Sequence, residues 1–136
     1  MNKTFPTPLT SISWGELIDK ITILEIKQAN INSSTALSNI NKELGYLNEI
    51  VKNNIGVVEP IKDLKLGLLD VNKRLWQVED DIRDKELKQE FDGEFIELAR
   101  KVYRLNDERA KLKKSINHAL NSELVEEKSY KDFQSN

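Results

Sequence analysis

The chain has no cysteine, and only 5 of its 136 residues are glycine and 3 are proline. The absence of cysteine excludes a disulfide framework and any thiolate metal site. Because turns use glycine and proline, their scarcity argues against a turn-rich all-β fold. The single histidine, His118, is too few for a histidine-based metal site and is predicted to face solvent, which also argues against a Ser–His–Asp arrangement. We therefore expect no cofactor.

The sequence also lacks long apolar runs and any excess of one charge. No stretch approaches the roughly 20 apolar residues of a membrane-spanning helix, and the first residues have no apolar core of a signal peptide. The 21 basic and 23 acidic residues give a net charge of -2 and are interleaved, so no basic stripe for nucleic acid is expected. These features predict a cytoplasmic protein with neither a nucleic-acid nor a membrane partner.

Apolar residues at helical spacing predict four helices. The first begins at a capping box, in which the Ser13 hydroxyl accepts a backbone N–H and the Glu16 side chain reaches back to another. The predicted helices span about 13–30, 35–52, 60–85 and 93–120. Because the loops are short, sequential helices should be antiparallel neighbours. The fold class is therefore all-α, an antiparallel bundle of about four helices built as long hairpins. We expect one domain, 1–136, with an irregular segment 1–12 and a C-terminal tail 121–136.

The first helix is apolar on two opposite sides. Ile18 and Ile21 lie on one side, whereas Ile23 and Ile26 lie on the other. A helix with two apolar sides is usually packed on both of them. This helix is therefore either the centre of the bundle or shared with a second subunit, and a homodimer is the commonest form of self-association.

Polar residues recur at positions where a core residue is expected. On the fourth helix they follow each other at steps of three, four and four, one interrupts the apolar face of the first helix, and two lie one turn apart beside the apolar face of the third helix. Because an unpaired buried charge costs several kcal/mol, such groups must pair, reach solvent or meet a ligand. The predicted set of inward polar residues is Glu25, Glu79, Arg83, Asn106, Arg109, Lys113 and Asn117.

Two interpretations of this set stay open. In the first, the set lines a cleft between the first, third and fourth helices that binds an anionic group, since Arg and Lys bind carboxylate or phosphate. The ligand would then be an anionic small molecule or an acidic peptide, and the protein a binding or adaptor module. Alternatively, Glu25 pairs with Arg109 and Glu79 pairs with Arg83 in a closed ion-pair network, and the bundle is purely structural.

An enzyme is the third possibility. Glu16 and Asp19 have the E-x-x-D spacing that all-α pyrophosphatases use to hold magnesium, but only one such pair exists and Glu16 also belongs to the capping box. A cleft lined by Arg, Lys and Asn would also suit a mutase acting on a dicarboxylate. Whether the chain is an enzyme stays open, and no catalytic residue is assigned.

Several longer segments resemble motifs of a family of small uncharacterised bacterial proteins, the domain-of-unknown-function family six-one-six-five. The segments are Ser13–Lys27, which opens Ser-Trp-Gly-Glu, Leu75–Arg83, Tyr103–Lys113 with the following Ile116-Asn117, and Glu126–Tyr130. The resemblance implies no activity, because none is assigned to that family. It does imply that the Glu-Glu-Lys-Ser-Tyr segment of the tail either docks onto the body or binds a partner.

Overall fold

The computed structural model describes residues 2–56 and 59–131. Within these ranges the secondary structure consists of helices, with no strand. They are α1 (Trp14–Asn30), α2 (Ser34–Asn54), α3 (Glu59–Leu87) and α4 (Gly93–Ala119). The predicted all-α bundle is confirmed, and the helix boundaries agree with those predicted to within about two residues. Residues 132–136 of the expected tail lie outside the described residues.

Short polar side chains explain where three of the helices begin. The Ser13 hydroxyl accepts a hydrogen bond from the backbone N–H of Glu16 at 3.1 Å, and an Asp92 carboxylate oxygen accepts one from Phe95 at 3.0 Å. Ser33 caps α2 in the same way. These contacts satisfy backbone donors that the first helical turn leaves unpaired. The predicted capping box is only half present, because the Glu16 carboxylate contacts Lys113 instead.

The core is built around α1, which packs against each of the other three helices. One face of α1 contributes Ile18 and Ile21 to a cluster that also contains Leu68 of α3 and Ile116 of α4. On the opposite side Ile26 is buried as well, whereas Ile23 is half-buried and lines a groove between α1, α3 and α4. A central position in the bundle therefore accounts for the two apolar sides of α1.

The α3–α4 hairpin is longer than the helix that packs on it. At 1.5 Å per residue, α1 is about 26 Å long and α3 about 44 Å. The C-terminal half of α1 lies beside Leu75 and Trp76 of α3, so the turn at 88–92 projects beyond it. A second apolar cluster, which includes Val78 and Leu105, joins α3 to α4 along the hairpin.

The length and polarity of the four helices bear on whether they could cross a membrane. None of the four, as far as the structure describes them, combines the length and the apolar character that crossing a bilayer requires.

Candidate functional site

The centre of the candidate site is the carboxylate of Asp19, which is fully buried among α1, α3 and α4. The guanidinium of Arg109 donates two hydrogen bonds to it, from Nε to Oδ1 at 2.9 Å and from Nη2 to Oδ2 at 2.5 Å. Asn72 donates from Nδ2 to the same Oδ1 at 2.9 Å. A carboxylate that cannot reach water needs hydrogen-bond donors from the protein, and here α3 and α4 each supply a donating side chain.

Thr22 completes this arrangement one turn further along α1. Its hydroxyl donates to the backbone carbonyl of Asp19 at 2.7 Å, which leaves its oxygen free to accept from Asn72 Nδ2 at 2.9 Å. The pKa of Arg109 is raised by its own hydrogen bond to Asp19, because pairing with a carboxylate favours the charged guanidinium. In the described part of the chain, no buried side-chain nitrogen or oxygen lacks a partner. We call Asp19, Thr22, Asn72 and Arg109 the buried network.

Lys113 lies beside the buried network, one turn after Arg109 on α4. Its Nζ donates to Glu16 at 2.8 Å and to Glu126 of the C-terminal tail at 2.8 Å, and lies 4.0 Å from Asp19. Burial lowers the pKa of Lys113, but the hydrogen bonds to Glu126 and Glu16 outweigh it, and the pKa is raised. The same contact with Lys113, aided by Lys128, lowers the pKa of Glu126 to about 2.

A glycine allows α1 and α4 to come this close. A Cβ atom on Gly15 would lie 2.4 Å from the backbone oxygen of Lys113, a distance that real Cβ atoms do not adopt. The N–H of Gly15 donates to Asn117 Oδ1 at 2.6 Å, and the N–H of Trp14 donates to the Ser122 hydroxyl at 3.2 Å. The last turn of α4 and the start of the tail thus cap the first turn of α1.

A cleft of about 540 Å³ opens from Lys113 between α1, α4 and the tail. The polar side chains around it carry both signs of charge, and two tyrosines lie among them. They include Glu16, Tyr103, Asn106, Arg109, Lys113 and Tyr130. We call this space the tail cleft, because the tail forms one of its walls.

A second groove of about 510 Å³ lies on the other side of Arg109, between α1, α3 and α4. Asn106 and Arg109 line both spaces, whereas Glu79 and Arg83 line only this second groove. Glu79 and Arg83 form the predicted ion pair, at 3.3 Å. Because the Arg83 side chain is 77% exposed, this pair lies on the surface and not in the predicted closed interior network.

Of the seven predicted site residues, the tail cleft brings together Asn106, Arg109 and Lys113, and the second groove brings together Glu79, Arg83, Asn106 and Arg109. Asn117 lies one turn beyond Lys113 on α4, where it caps α1. Glu25 lies apart from them and pairs with Lys65 of α3 at 3.2 Å. The predicted pairing of Glu25 with Arg109 is therefore wrong, because Asp19 holds the guanidinium. A ligand-binding role for the seven residues stays a prediction.

Sequence reasoning missed Asn72 and Glu126 and gave Asp19 a different role. Asn72 could have been found, because it follows Leu68 by four residues and precedes Leu75 by three, which places it on the core face of α3. Asp19 was weighed only as a magnesium ligand together with Glu16. Nothing in the local sequence connects Glu126 with Lys113.

The magnesium arrangement requires carboxylates that are free to bind a cation. Glu16 is held by Lys113 and Asp19 by Arg109, so the E-x-x-D pair is already occupied by protein cations. Over residues 2–56 and 59–131, no group of three or more His, Asp or Glu side chains is arranged to hold a metal ion.

Comparisons with known proteins give one result. Searches of the curated proteins and of the solved structures find none that matches this chain. The model of one protein family matches residues 9–136, which include all four helices and the tail. The chain therefore belongs to the family of unknown function DUF6165.

Proposed function

We propose that this protein is a binding or adaptor module whose tail cleft accepts an anionic group, a carboxylate or a phosphate, at the ammonium of Lys113. The observation that supports this most is the existing contact of Lys113 with a carboxylate from the tail. The Lys113 side chain is only 10% exposed, yet it lines the cleft. An ammonium group in this position can exchange one anion for another without any change in the helices.

Arg109 is the second group suited to bind the anion. Asp19 binds its guanidinium through Nε and Nη2, and Nη1 makes only a long contact of 3.4 Å with Asn106. A guanidinium has five N–H groups, so donors remain on the edge that does not face Asp19. The buried carboxylate also fixes the orientation of the side chain, which favours binding because little rotamer freedom is left to lose.

Two alternative functions have weaker support. A purely structural role would explain the buried network. It would not explain why a nearly buried lysine lies beside an open cleft. A magnesium-dependent enzyme would need Glu16 and Asp19 as metal ligands, and both carboxylates are bound to protein cations. A mutase-like enzyme would use the Arg, Lys and Asn side chains of the cleft on a dicarboxylate, and turnover of the bound anion would distinguish it from binding alone. A magnesium requirement for ligand binding would favour the enzyme.

Self-association as a homodimer and a cytoplasmic location are also part of this proposal. Exposed apolar side chains at the projecting end of the hairpin support self-association: Leu87, Phe91 and Ile96. Light scattering over a range of concentrations measures the oligomeric state, and a monomer at high concentration contradicts the homodimer.

The anion site is tested by thermal unfolding with inorganic phosphate and with succinate, at constant ionic strength. A ligand that binds only the folded protein stabilises it by about 2.7 kcal/mol at a concentration 100 times its Kd. We expect both anions to raise the Tm of the wild-type protein and to have little effect on Lys113→Met. Lys114→Met is the matched control, because Lys114 is exposed and adjacent on the same helix.

Two outcomes contradict the proposal. One is a wild-type Tm that does not change at millimolar anion. The other is a Tm increase in Lys113→Met as large as in the wild-type protein. Including magnesium in a parallel series separates the enzyme alternative from simple binding.

A further inference from the structure

The C-terminal tail indicates which kind of anion the cleft binds. On the basis of the proposed function, we infer that the ligand is an acidic peptide segment, and that residues 121–131 of this chain occupy its site when no such peptide is bound. The tail is then a competitor held within the same molecule.

The tail follows α4 in the opposite direction. It leaves the helix at Ser122, whose hydroxyl contacts the N–H of Trp14, and it reaches Lys113 with Glu126 at 2.8 Å. Tyr130 also lines the cleft, and on α4 the lining extends back to Tyr103, ten residues before Lys113. An extended chain from 126 to 130 spans roughly 13 Å, and ten helical residues span about 15 Å. The cleft thus has the length of a short extended peptide.

The charges of the two surfaces are complementary. Lys113 and Lys114 follow each other on α4, and Glu126 and Glu127 follow each other in the tail. Each lysine is paired with one of the glutamates, Lys113 with Glu126 at 2.8 Å and Lys114 with Glu127 at 3.9 Å. Because consecutive residues of a helix point in different directions, two adjacent carboxylates on a peptide are better suited to contact both lysines than a single free phosphate is. This favours an acidic peptide over a small anion.

The tail is attached in a way that allows exchange. Its larger apolar side chains, Leu124, Val125 and Tyr130, remain exposed and do not join either core cluster. The contact between Lys113 and Glu126 is therefore the principal one, and its carboxylate side is open to water. Ion pairs of this kind hold a segment weakly, so that an external peptide with additional contacts can replace it.

A peptide with the sequence of residues 121–131, Asn-Ser-Glu-Leu-Val-Glu-Glu-Lys-Ser-Tyr-Lys, is the probe. It is labelled with a fluorophore and added to the full-length wild-type protein, to Glu126→Gln and to Glu127→Gln, and anisotropy is recorded. We expect Glu126→Gln to bind the peptide roughly fivefold more tightly than the wild-type protein, since its own tail competes less. Glu127→Gln provides a graded comparison and should bind the peptide only slightly more tightly than the wild-type protein, because the Lys114–Glu127 ion pair is longer and more exposed than the Lys113–Glu126 pair.

The outcomes separate this inference from the proposed function. Equal affinities of the wild-type protein and Glu126→Gln overturn the competition by the tail. If no variant binds the peptide although phosphate still raises the Tm, the acidic-peptide ligand is wrong and the anion site is retained. If neither peptide nor phosphate binds, both proposals fail. Circular dichroism spectra of the variants confirm that the helices are intact in each case.

Discussion

Two lysines, one at each end of the α3–α4 hairpin, are surrounded by carboxylates, and the comparison between them shows what burial adds. Lys85 lies at the projecting end and contacts Glu90, Asp92 and Glu94, each at 3.0 Å. Lys113 lies where α1 packs on the hairpin, and its shorter contacts are to Glu16 and Glu126. The pKa of both lysines is raised by their hydrogen bonds to carboxylates.

The two sites differ in whether water can replace the lysine as a partner of the neighbouring carboxylates. All three partners of Lys85 are exposed to solvent, so water replaces the lysine if it is removed. The two carboxylates that Lys113 contacts directly, Glu16 and Glu126, are also partly exposed, but Lys113 in addition adjoins Asp19, which has no access to water and depends on the protein for every contact. The number of ion pairs around a lysine therefore says little about stability, whereas the burial of the carboxylates says much.

The largest effect is expected from Arg109→Met. This substitution leaves the carboxylate of Asp19 buried without its cation, which should lower the free energy of unfolding by about 3–5 kcal/mol. Urea denaturation measures the loss. Arg83→Met is the matched control at the exposed end of the hairpin, and it should change stability little, because the Arg83–Glu79 pair is exposed.

A double variant then tests whether the cause is the orphaned charge. Asp19→Asn combined with Arg109→Met removes the negative charge and keeps an oxygen that can accept from Asn72. Part of the lost stability should return. If Arg109→Met is as stable as the wild-type protein, the contrast between the two ends of the hairpin is refuted.

A smaller effect is expected where α1 approaches α4. Gly15→Ala places a methyl group against the backbone of Lys113 and should lower stability by roughly 1–3 kcal/mol, since the helices must move apart. Gly45→Ala in α2 is the control, because nothing lies within 4 Å of its Cβ position. It should raise stability by about 0.5–1 kcal/mol through the helical preference of alanine. Equal effects of the two substitutions in thermal unfolding would show that the approach at Gly15 is unimportant.

The contact between Glu126 of the tail and Lys113 should weaken at acidic pH. Lys113, together with Lys128, lowers the pKa of Glu126 from 4.5 to about 2 in the folded protein. A lowered pKa means that this contact stabilises the docked tail above about pH 4.5, and that the stabilisation is lost as the pH falls from there towards 2. A carbon-13 NMR titration of the Glu126 carboxyl group measures its pKa directly. In Lys113→Met the value should move back towards 4.5, and an unchanged value would contradict the contact.

The smallest effect is expected from Lys85→Met. Three ion pairs disappear at once, but their carboxylates remain hydrated, so the Tm should fall only slightly. Measuring the Tm of Lys85→Met and of Arg109→Met under the same conditions compares the two ends of the hairpin directly. A decrease as large as that of Arg109→Met would show that the exposed cluster matters as much as the buried one.

Much of the fold can be predicted from the sequence, because helix caps and apolar spacing are local features. Ser13, Ser33 and Asp92 cap the helices that they precede, and the α4 residues Arg109 and Lys113 were found from their spacing. Their partners on α1 could not be found in this way. Both sides of α1 are apolar, so the pattern does not fix its rotation, and Glu25 and Asp19 were equally available to Arg109.

The rotation of α1 is decided by contacts that are distant in sequence. Asp19 and Glu25 are six residues apart, which places them about 120° from each other around the helix at 100° per residue. The close approach at Gly15, together with the cap from Asn117, turns Asp19 towards α4 and Glu25 towards Lys65. The tail contact was equally out of reach of periodicity, since the tail is not helical.

The cap on α1 has a consequence for how the protein is made. The N–H of Gly15 is satisfied by Asn117, 102 residues later in the chain. During synthesis the first helix leaves the ribosome long before the side chain that completes its N-terminal turn has been translated. Domains often begin to fold from their N-terminus during translation. Here α1 keeps an unpaired N–H at its first turn until Asn117 of α4 has been made, so this end of the bundle cannot be completed before most of the chain described here has been translated.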